Sequence, residues 1–429
     1  MKVCVCGLWH LGSVIAASVA EHFTTVGYDP DVNVISNLSR GQPPVFETGL
    51  AELIQAGFST GRLSFTNDIA SAVNGADIVW ITFDTPVDDN DIADVGFVSR
   101  QMAALFSHLS DNTTVLVSSQ VPVGFTASAE AGFRLNCSER RVSFAYAQEN
   151  LRVGKALDAF RCPERIVIGV RHQSDQARLS QLLSPFCRRL EWMSVESAEM
   201  TKHALNAFLA ASVVFVNELA TLCEHVGADV KEVERGLRSD SRIGPSAYLS
   251  PGSAFAGGTL ARDVNFLSQL GQQKRVPAHL MTAIRISNDE HKAWPRRKLQ
   301  ELFGELSGKT VVVLGLTYKP GTDTLRRSSA IELCIWLAQQ GVRVRANDPG
   351  VTQLPSDLEQ YITLCATANE ALQQADALIV TNDWPAFKSL SSDDCVRQMR
   401  TPVVLDPNRF LRTTLGADSR LRYVAVGKL

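Results

Sequence analysis

Short apolar runs recur through the first 195 residues: VCVCG, TTVGYD, ADIVWITF, TTVLVSS and RIVIGV. Helical spacing of apolar positions separates them. Near-continuous apolar runs suit strands buried on both faces, and their alternation with helices predicts a parallel sheet covered on both sides. From about residue 196 to 300 the pattern turns helical. SAEMTKHALNAFLAASVVFVNELATLCEHVG carries apolar residues on more than one face, which predicts one long, largely buried helix of the kind that joins domains or subunits. From 301 onward the alternation returns in KTVVVLGL, IELCIWLAQQG, VRVRANDPG, ADALIVTND and TPVVLDPN. The expected division is therefore 1–195, 196–300 and 301–429. The two α/β blocks are compatible with a distant duplication, which the sequence alone does not show.

Composition narrows the partners. The 429 residues are 45% hydrophobic and 20% charged with a net charge of −3, so no basic face dominates the chain. That argues against nucleic acid or an anionic membrane as the main partner. Nine cysteines carry no CxxC pair, and Cys4 and Cys6 alternate within the first strand. Free, buried thiols in a reducing cytoplasm fit better than a disulfide framework. MKVCVCGLWHLGSVIAASVA has the lysine, apolar run and small-residue end of a secretory leader, but Gly7, His10 and Gly12 break the run. The segment after it also needs this strand as its sheet partner. No other apolar run reaches about 18 residues, so no membrane span is expected. No metal site is expected either.

The first strand runs into GLWHLG, with Gly7 and Gly12 between strand and helix and Asp29 at the end of the next strand. A dinucleotide site needs a tight turn, a helix N-terminus facing the pyrophosphate and a carboxylate for the ribose hydroxyls. The predicted architecture is thus α/β, with two Rossmann-like doubly wound domains joined by a long central helix and a helical domain. Asp29 favours NAD over NADP, because a 2′-phosphate would meet a like charge. The middle glycine of GxGxxG is Trp9. A Rossmann domain that has lost its nucleotide gives the same strand, turn and acid. The last block lacks a glycine-rich turn of this form and is expected to hold something other than a dinucleotide.

Lys202 and Asn206 are four residues apart on the long helix and share a face. A lysine and an amide so placed can hold a hydroxyl oxygen while a hydride leaves its carbon; a lysine snorkelling on a helix surface gives the same pattern. Glu149 follows a predicted strand, where it suits either a general base in the crevice of an open sheet or a solvated loop acid. Residues 252–263, GSAFAGGTLARD, let backbone approach a ligand closely and end on Arg262 and Asp263.

Together these stretches resemble the nucleotide-sugar dehydrogenase family, typified by UDP-glucose and GDP-mannose 6-dehydrogenases. GLWHLG, FETGL, FDTPVD, SSQVPVG, QENLRVG, EMTKHALNAFLA with VNE, SRIG, YLSPGSAFAGGTLARD, LGLTYKPGTDTLR, NDW and LDPNR fall in the family's order over nearly the whole chain. The resemblance implies NAD as cofactor, a nucleoside-diphosphate sugar as substrate, a last domain that binds the nucleoside diphosphate, and a homodimer built on the long helix, which makes the helical domain a dimerisation domain. It implies Glu149, Lys202, Asn206 and Asp263 as catalytic. On the cofactor side stand Gly7, Leu11, Gly12, Asp29, Thr85, Gln120, Arg262 and Arg326. On the substrate side stand Leu151, Arg152, Tyr248, Ser250, Gly252, Ala256 and Lys319, with Arg242 lent by the neighbouring subunit.

The departures carry information. Family members oxidise a primary alcohol to a carboxylate in two hydride transfers, holding the aldehyde on the cysteine of GFGFGGxCxxKD. Aligned through Asp263, that position is Thr259; shifted by one it is Leu260, and neither is a thiol. Cys223 and Cys162 lie in other segments. Ala254 and Ala256 replace two of the glycines, and Gln120 replaces the threonine of the family's STVPVG. A threonine hydroxyl is a far weaker acid than a thiol, is hindered by β-branching, and needs a dedicated base. The first hydride transfer needs no thiol. The leading expectation is a two-electron oxidation of a nucleoside-diphosphate sugar, with Thr259 a bystander. Complete four-electron oxidation to a uronate and a silent sugar-nucleotide or NAD binder are the alternatives.

Overall fold

In a computed structural model of the chain, described over residues 1–87, 93–149, 151, 154–256 and 258–428, two compact units meet inside one helix, at Ala204/Leu205. The first unit holds β1 (Lys2–Cys6), α1 (His10–Val19), β2 (Thr24–Tyr28), α2 (Val32–Ser39), α3 (Leu50–Ser59), β3 (Leu63–Thr66), α4 (Ile69–Val73) and β4 (Ile78–Ile81). It continues with α5 (Val95–Phe106), β5 (Thr114–Val117), α6 (Phe125–Asn136), β6 (Ser143–Ala147), α7 (Ala156–Arg161), β7 (Ile166–Gly169), α8 (Ser174–Leu183) and β8 (Leu190–Met193). Its eight strands lie in the order β3-β2-β1-β4-β5-β6-β7-β8, all pairs parallel except β6 with β7.

The central strands β4 and β5 are buried at every position, as apolar runs on both faces require. Cys4 and Cys6 share one face of β1, packed with Val79, Ile81 and Phe83, and all nine cysteines are free thiols. Aspartates begin several helices. Asp31, Asp68 and Asp94 accept backbone N–H groups in the first turns of α2, α4 and α5, meeting donors that would otherwise lack partners.

Helix α9 (Val195–Val226) runs through the boundary. It is the one described helix long and apolar enough to cross a membrane. It is less buried than its sequence suggests. Phe208, Phe215 and Leu222 recur every seven residues and are 69%, 53% and 63% exposed. Apolar residues on several faces predict a largely buried helix that joins domains or subunits; one of those faces is an outward stripe.

The second unit adds α10 (Val230–Ser239), α11 (Gly258–Lys274), α12 (His279–Lys292) and α13 (Trp294–Phe303) to the rest of α9. Its sheet holds β9 (Thr310–Leu314), β10 (Arg343–Asn347), β11 (Thr363–Leu364), β12 (Ala377–Val380), β13 (Val403–Leu405) and β14 (Arg422–Val424), with α14 (Ser329–Gln339), α15 (Ala368–Ala371) and α16 (Ser392–Gln398). The six strands are parallel in the order β11-β10-β9-β12-β13-β14. The sequence marks four of them. β11, two residues long, is too short for a period to register, and β14 (RYV) lacks the continuous apolar run that marks the equally short β13 (VVL).

Candidate active site

In each sheet the order of strands reverses next to the first strand, between β1 and β4 and between β9 and β12. Crevices outside the carboxyl ends of such strands are where open α/β sheets bind ligands.

In the first unit β1 ends at Gly7, whose φ is +97°. A Cβ there would lie 2.5 Å from Phe83 N, and one at Gly12 would lie 1.7 Å from Gly7 O, so both positions require glycine. Thr82 fixes the turn by donating its hydroxyl to Cys6 O (3.0 Å) and Gly7 O (2.8 Å). Asp29, at the end of β2, accepts Leu8 N at 2.8 Å and Asp31 N at 3.0 Å. Burial pushes its carboxyl above the usual range, and those two N–H groups oppose the rise. Gly7, Trp9, Asp29, Phe83 and Asp84 line the crevice. A partly exposed carboxylate beside a glycine turn and the start of α1, which includes Leu11, fits the ribose and pyrophosphate of NAD. Trp9 is 48% exposed at the head of α1, so its indole stands outside the turn instead of filling it. Thr85 and Gln120 come together through the Thr85 hydroxyl donating to Gln120 O at 2.6 Å.

Glu149 lies just past β6, partly buried, and its carbonyl accepts Lys202 Nζ at 2.5 Å. The lysine is buried in α9, not snorkelling on its surface. Leu151 is partly buried against the first unit's core. Arg152 lies outside the described residues. Two residues of α9 escaped the sequence reading. Glu199 is fully buried and accepts Gly124 N (2.6 Å) and Thr126 N (2.9 Å), and His203 Nε2 lies 2.9 Å from Val121 O. They hold the VPVGF turn against the helix that carries Lys202. Bonds from a side chain to distant backbone leave no local pattern that would have marked them.

In the second unit Asn206 Nδ2 donates to Asp263 Oδ2, and Asp263 on α11 is fully buried. Thr259, second residue of α11, is exposed, and no side-chain hydrogen bond holds its hydroxyl among the described residues. Arg262 is its partly buried neighbour on the same helix, and Arg326 is exposed before α14. Arg242 is 87% exposed at its side chain and pairs with Asp240 at 2.7 Å. Tyr248 is 53% exposed, and Ser250 Oγ reaches Glu234 Oε1 at 3.4 Å. Gly252, Ala256 and Lys319 line one cavity of about 280 Å³ with Asn382, Asp383 and Asn408, at the carboxyl ends of β9, β12 and β13. Burial pushes the Asp383 carboxyl up, opposed by the hydrogen bond from Asn408.

The second sheet repeats the first turn closely. Gly315 has φ +97°, a Cβ there would lie 3.0 Å from Asn382 N, and Thr381 donates to Leu314 O at 3.0 Å and to Gly315 O. Asp348 stands where Asp29 does. It is 2% exposed, however, and one oxygen accepts Leu316 N, Thr317 N and the Thr317 hydroxyl at 2.6, 2.9 and 3.0 Å. That carboxylate is capped, and α14 begins only at Ser329. The second turn therefore offers neither a ribose acceptor nor a helix N-terminus at the glycine, which explains why a related frame need not bind a dinucleotide.

Comparison with known proteins finds matches along nearly the whole chain. Residues 1–187 match the NAD binding domain of the UDP-glucose/GDP-mannose dehydrogenase family, residues 196–290 its central domain and residues 312–413 its UDP binding domain. The chain is 33% identical over 436 residues to UDP-glucose 6-dehydrogenase of Rhizobium meliloti (strain 1021), covering 100% of both. It is 33% identical to UDP-glucose 6-dehydrogenase TuaD of Bacillus subtilis (strain 168), covering 94% of this chain and 88% of that one. Among solved structures, a UDP-glucose dehydrogenase from Pyrobaculum islandicum superposes with a TM-score of 0.86 at 27% identity, covering 100% and 98% of the two chains.

Proposed function

The chain belongs to the UDP-glucose/GDP-mannose dehydrogenase family and is an NAD-dependent nucleotide-sugar dehydrogenase, and from that premise we propose that it oxidises one alcohol of a UDP-glucose-like nucleotide sugar by two electrons and releases the carbonyl product. The observation that carries this reading is the state of Thr259. Its hydroxyl is exposed without a hydrogen-bonded base among the described residues, while Asp263, one turn on along α11, is engaged by Asn206. A hydroxyl in that setting stays protonated and is a poor nucleophile.

NAD, which the turn at Gly7 and Gly12 and the Asp29 carboxylate would hold, would supply the hydride acceptor. Everything else falls to the chain's own side chains. Lys202 is the cation that stabilises alkoxide charge as the C–H bond weakens, and Asn206, one turn on, positions that oxygen or a bridging water. Glu149 takes the hydroxyl proton, directly or through water. The balance is R–CHOH–R′ (R′ being hydrogen for a primary alcohol) and NAD⁺ giving R–CO–R′, NADH and a proton. Arg262 and Arg326 are assigned to the cofactor, and Leu151, Arg152, Tyr248, Ser250, Gly252, Ala256 and Lys319 to the sugar nucleotide.

Complete oxidation is the second reading. It is favoured by the full-length similarity to proteins named UDP-glucose 6-dehydrogenases and by the retained Asp263. It requires oxidation of a hydrated aldehyde without a covalent adduct. Thr259→Cys separates the two. A thiol at the second position of a 17-residue helix is favoured as thiolate by the helix N-terminus. The wild type should yield one NADH per sugar and the variant more than one. Two NADH from the wild type would support complete oxidation. We further infer a cytoplasmic homodimer. The exposed stripe of Phe208, Phe215 and Leu222 on α9 supports the dimer, and nine free thiols support the compartment.

A further inference from the structure

The loop that leads into α11 is held by side-chain amides from several sides. Gly252 N donates to Asn217 Oδ1 at 3.0 Å, and Asn217 Nδ2 donates to Ser253 O at 3.3 Å. Phe255 exchanges bonds of 3.0 and 3.1 Å with Asn288, and His291 Nε2 lies 2.8 Å from Gly252 O. Those three partners stand on α9 and α12. The remaining tie goes elsewhere. Ser253 N donates to Asn408 Oδ1 at 2.8 Å, and Asn408 Nδ2 donates to Asp383 Oδ1 at 3.1 Å. Asn408 follows β13 and Asp383 follows β12, so among the described residues this tie runs to the sheet rim that lines the cavity.

The chemistry of the tie fixes its direction. An ionised carboxylate only accepts, so Asp383 obliges Asn408 to turn its NH₂ toward it and its carbonyl toward Ser253. The loop reaches the amide because residue 252 is glycine: a Cβ there would lie 2.5 Å from Asn408 Oδ1. Asp383 and Asn408 border the same cavity as Lys319.

We propose that Asp383, Asn408 and Ser253 form a positioning relay, through which a nucleoside diphosphate seated over the carboxyl ends of β9 and β12 sets the loop that carries the sugar and leads to Asp263. The proposal rests on the chain binding a nucleoside-diphosphate sugar and not on how many hydrides it transfers. Asn408 is a positioning residue: it acts on the sugar through the loop.

Asn408→Asp sets two carboxylates against each other while keeping size and the acceptor for Ser253. With UDP-glucose, kcat/KM should fall by about 10²-fold, the scale on which an ångström of misplacement acts, while KM for NAD stays as in the wild type. Asp383→Asn/Asn408→Asp exchanges donor and acceptor and should recover most of the loss. Amide hydrogen exchange over residues 252–255, measured with UDP present, should quicken in Asn408→Asp and slow again in the exchanged pair, and this reads the relay whether or not turnover is seen. Failure of the oxidoreductase reading gives a wild type that makes no NADH. Failure of the relay gives an Asn408→Asp protein that behaves as wild type, or a double variant no better than the single in either readout.

Discussion

Thr259 and Lys202 illustrate how side chains of modest chemistry are set by what surrounds them. Lys202 is buried with its ammonium on the Glu149 carbonyl, so its charge sits where water is scarce and electrostatic stabilisation is strong. Lys202→Ala should lower kcat by about 10²–10³-fold, the range for loss of one oxyanion donor, with nucleotide-sugar binding still measurable by calorimetry. Undiminished turnover would remove Lys202 from the mechanism. Thr259→Ala should change turnover little. A loss of about 10³-fold, equivalent to about 4 kcal/mol, would make the threonine a participant. These positions were legible because chemistry and spacing coincide in KxxxN and in the loop ending at Asp263. Asn408 and Glu199 were not. Their partners, Ser253 and Gly124, lie 155 and 75 residues away, and nothing in either neighbourhood signals the bond.

Among the elements, the turn after β1 and helix α9 govern the cofactor and catalytic groups. Gly12→Ala forces a methyl into Gly7 O, and something must shift. NAD affinity should fall steeply, with a Tm drop reflecting overpacking of about 1–3 kcal/mol; an unchanged dissociation constant would contradict the turn as the pyrophosphate site. Glu199→Ala should destabilise the first unit by about 1–3 kcal/mol for each amide left without a partner, read as a Tm shift, and it should weaken catalysis by loosening the 121–126 turn. The glycine turn was readable from spacing alone. Its counterpart at Gly315 was not, because the capped Asp348 and the late start of α14 erase the strand–turn–helix signature while leaving the backbone geometry in place. Which face of α9 points outward was not legible for a related reason: hydrophobic period locates an apolar face but does not say whether core or a second molecule covers it.

At the scale of the whole molecule, the exposed stripe of Phe208, Phe215 and Leu222 is the feature that supports the inferred dimer. Phe215→Asp should halve the mass seen by light scattering, and a wild type that is already monomeric would contradict the inferred dimer. The measurement that tests the central claim most directly is hydride stoichiometry. Purified protein is given NAD and UDP-glucose or related nucleotide sugars, NADH is counted per sugar consumed, and the product is identified by mass. One NADH with a carbonyl product is the predicted result. Two NADH with a carboxylate product would contradict it.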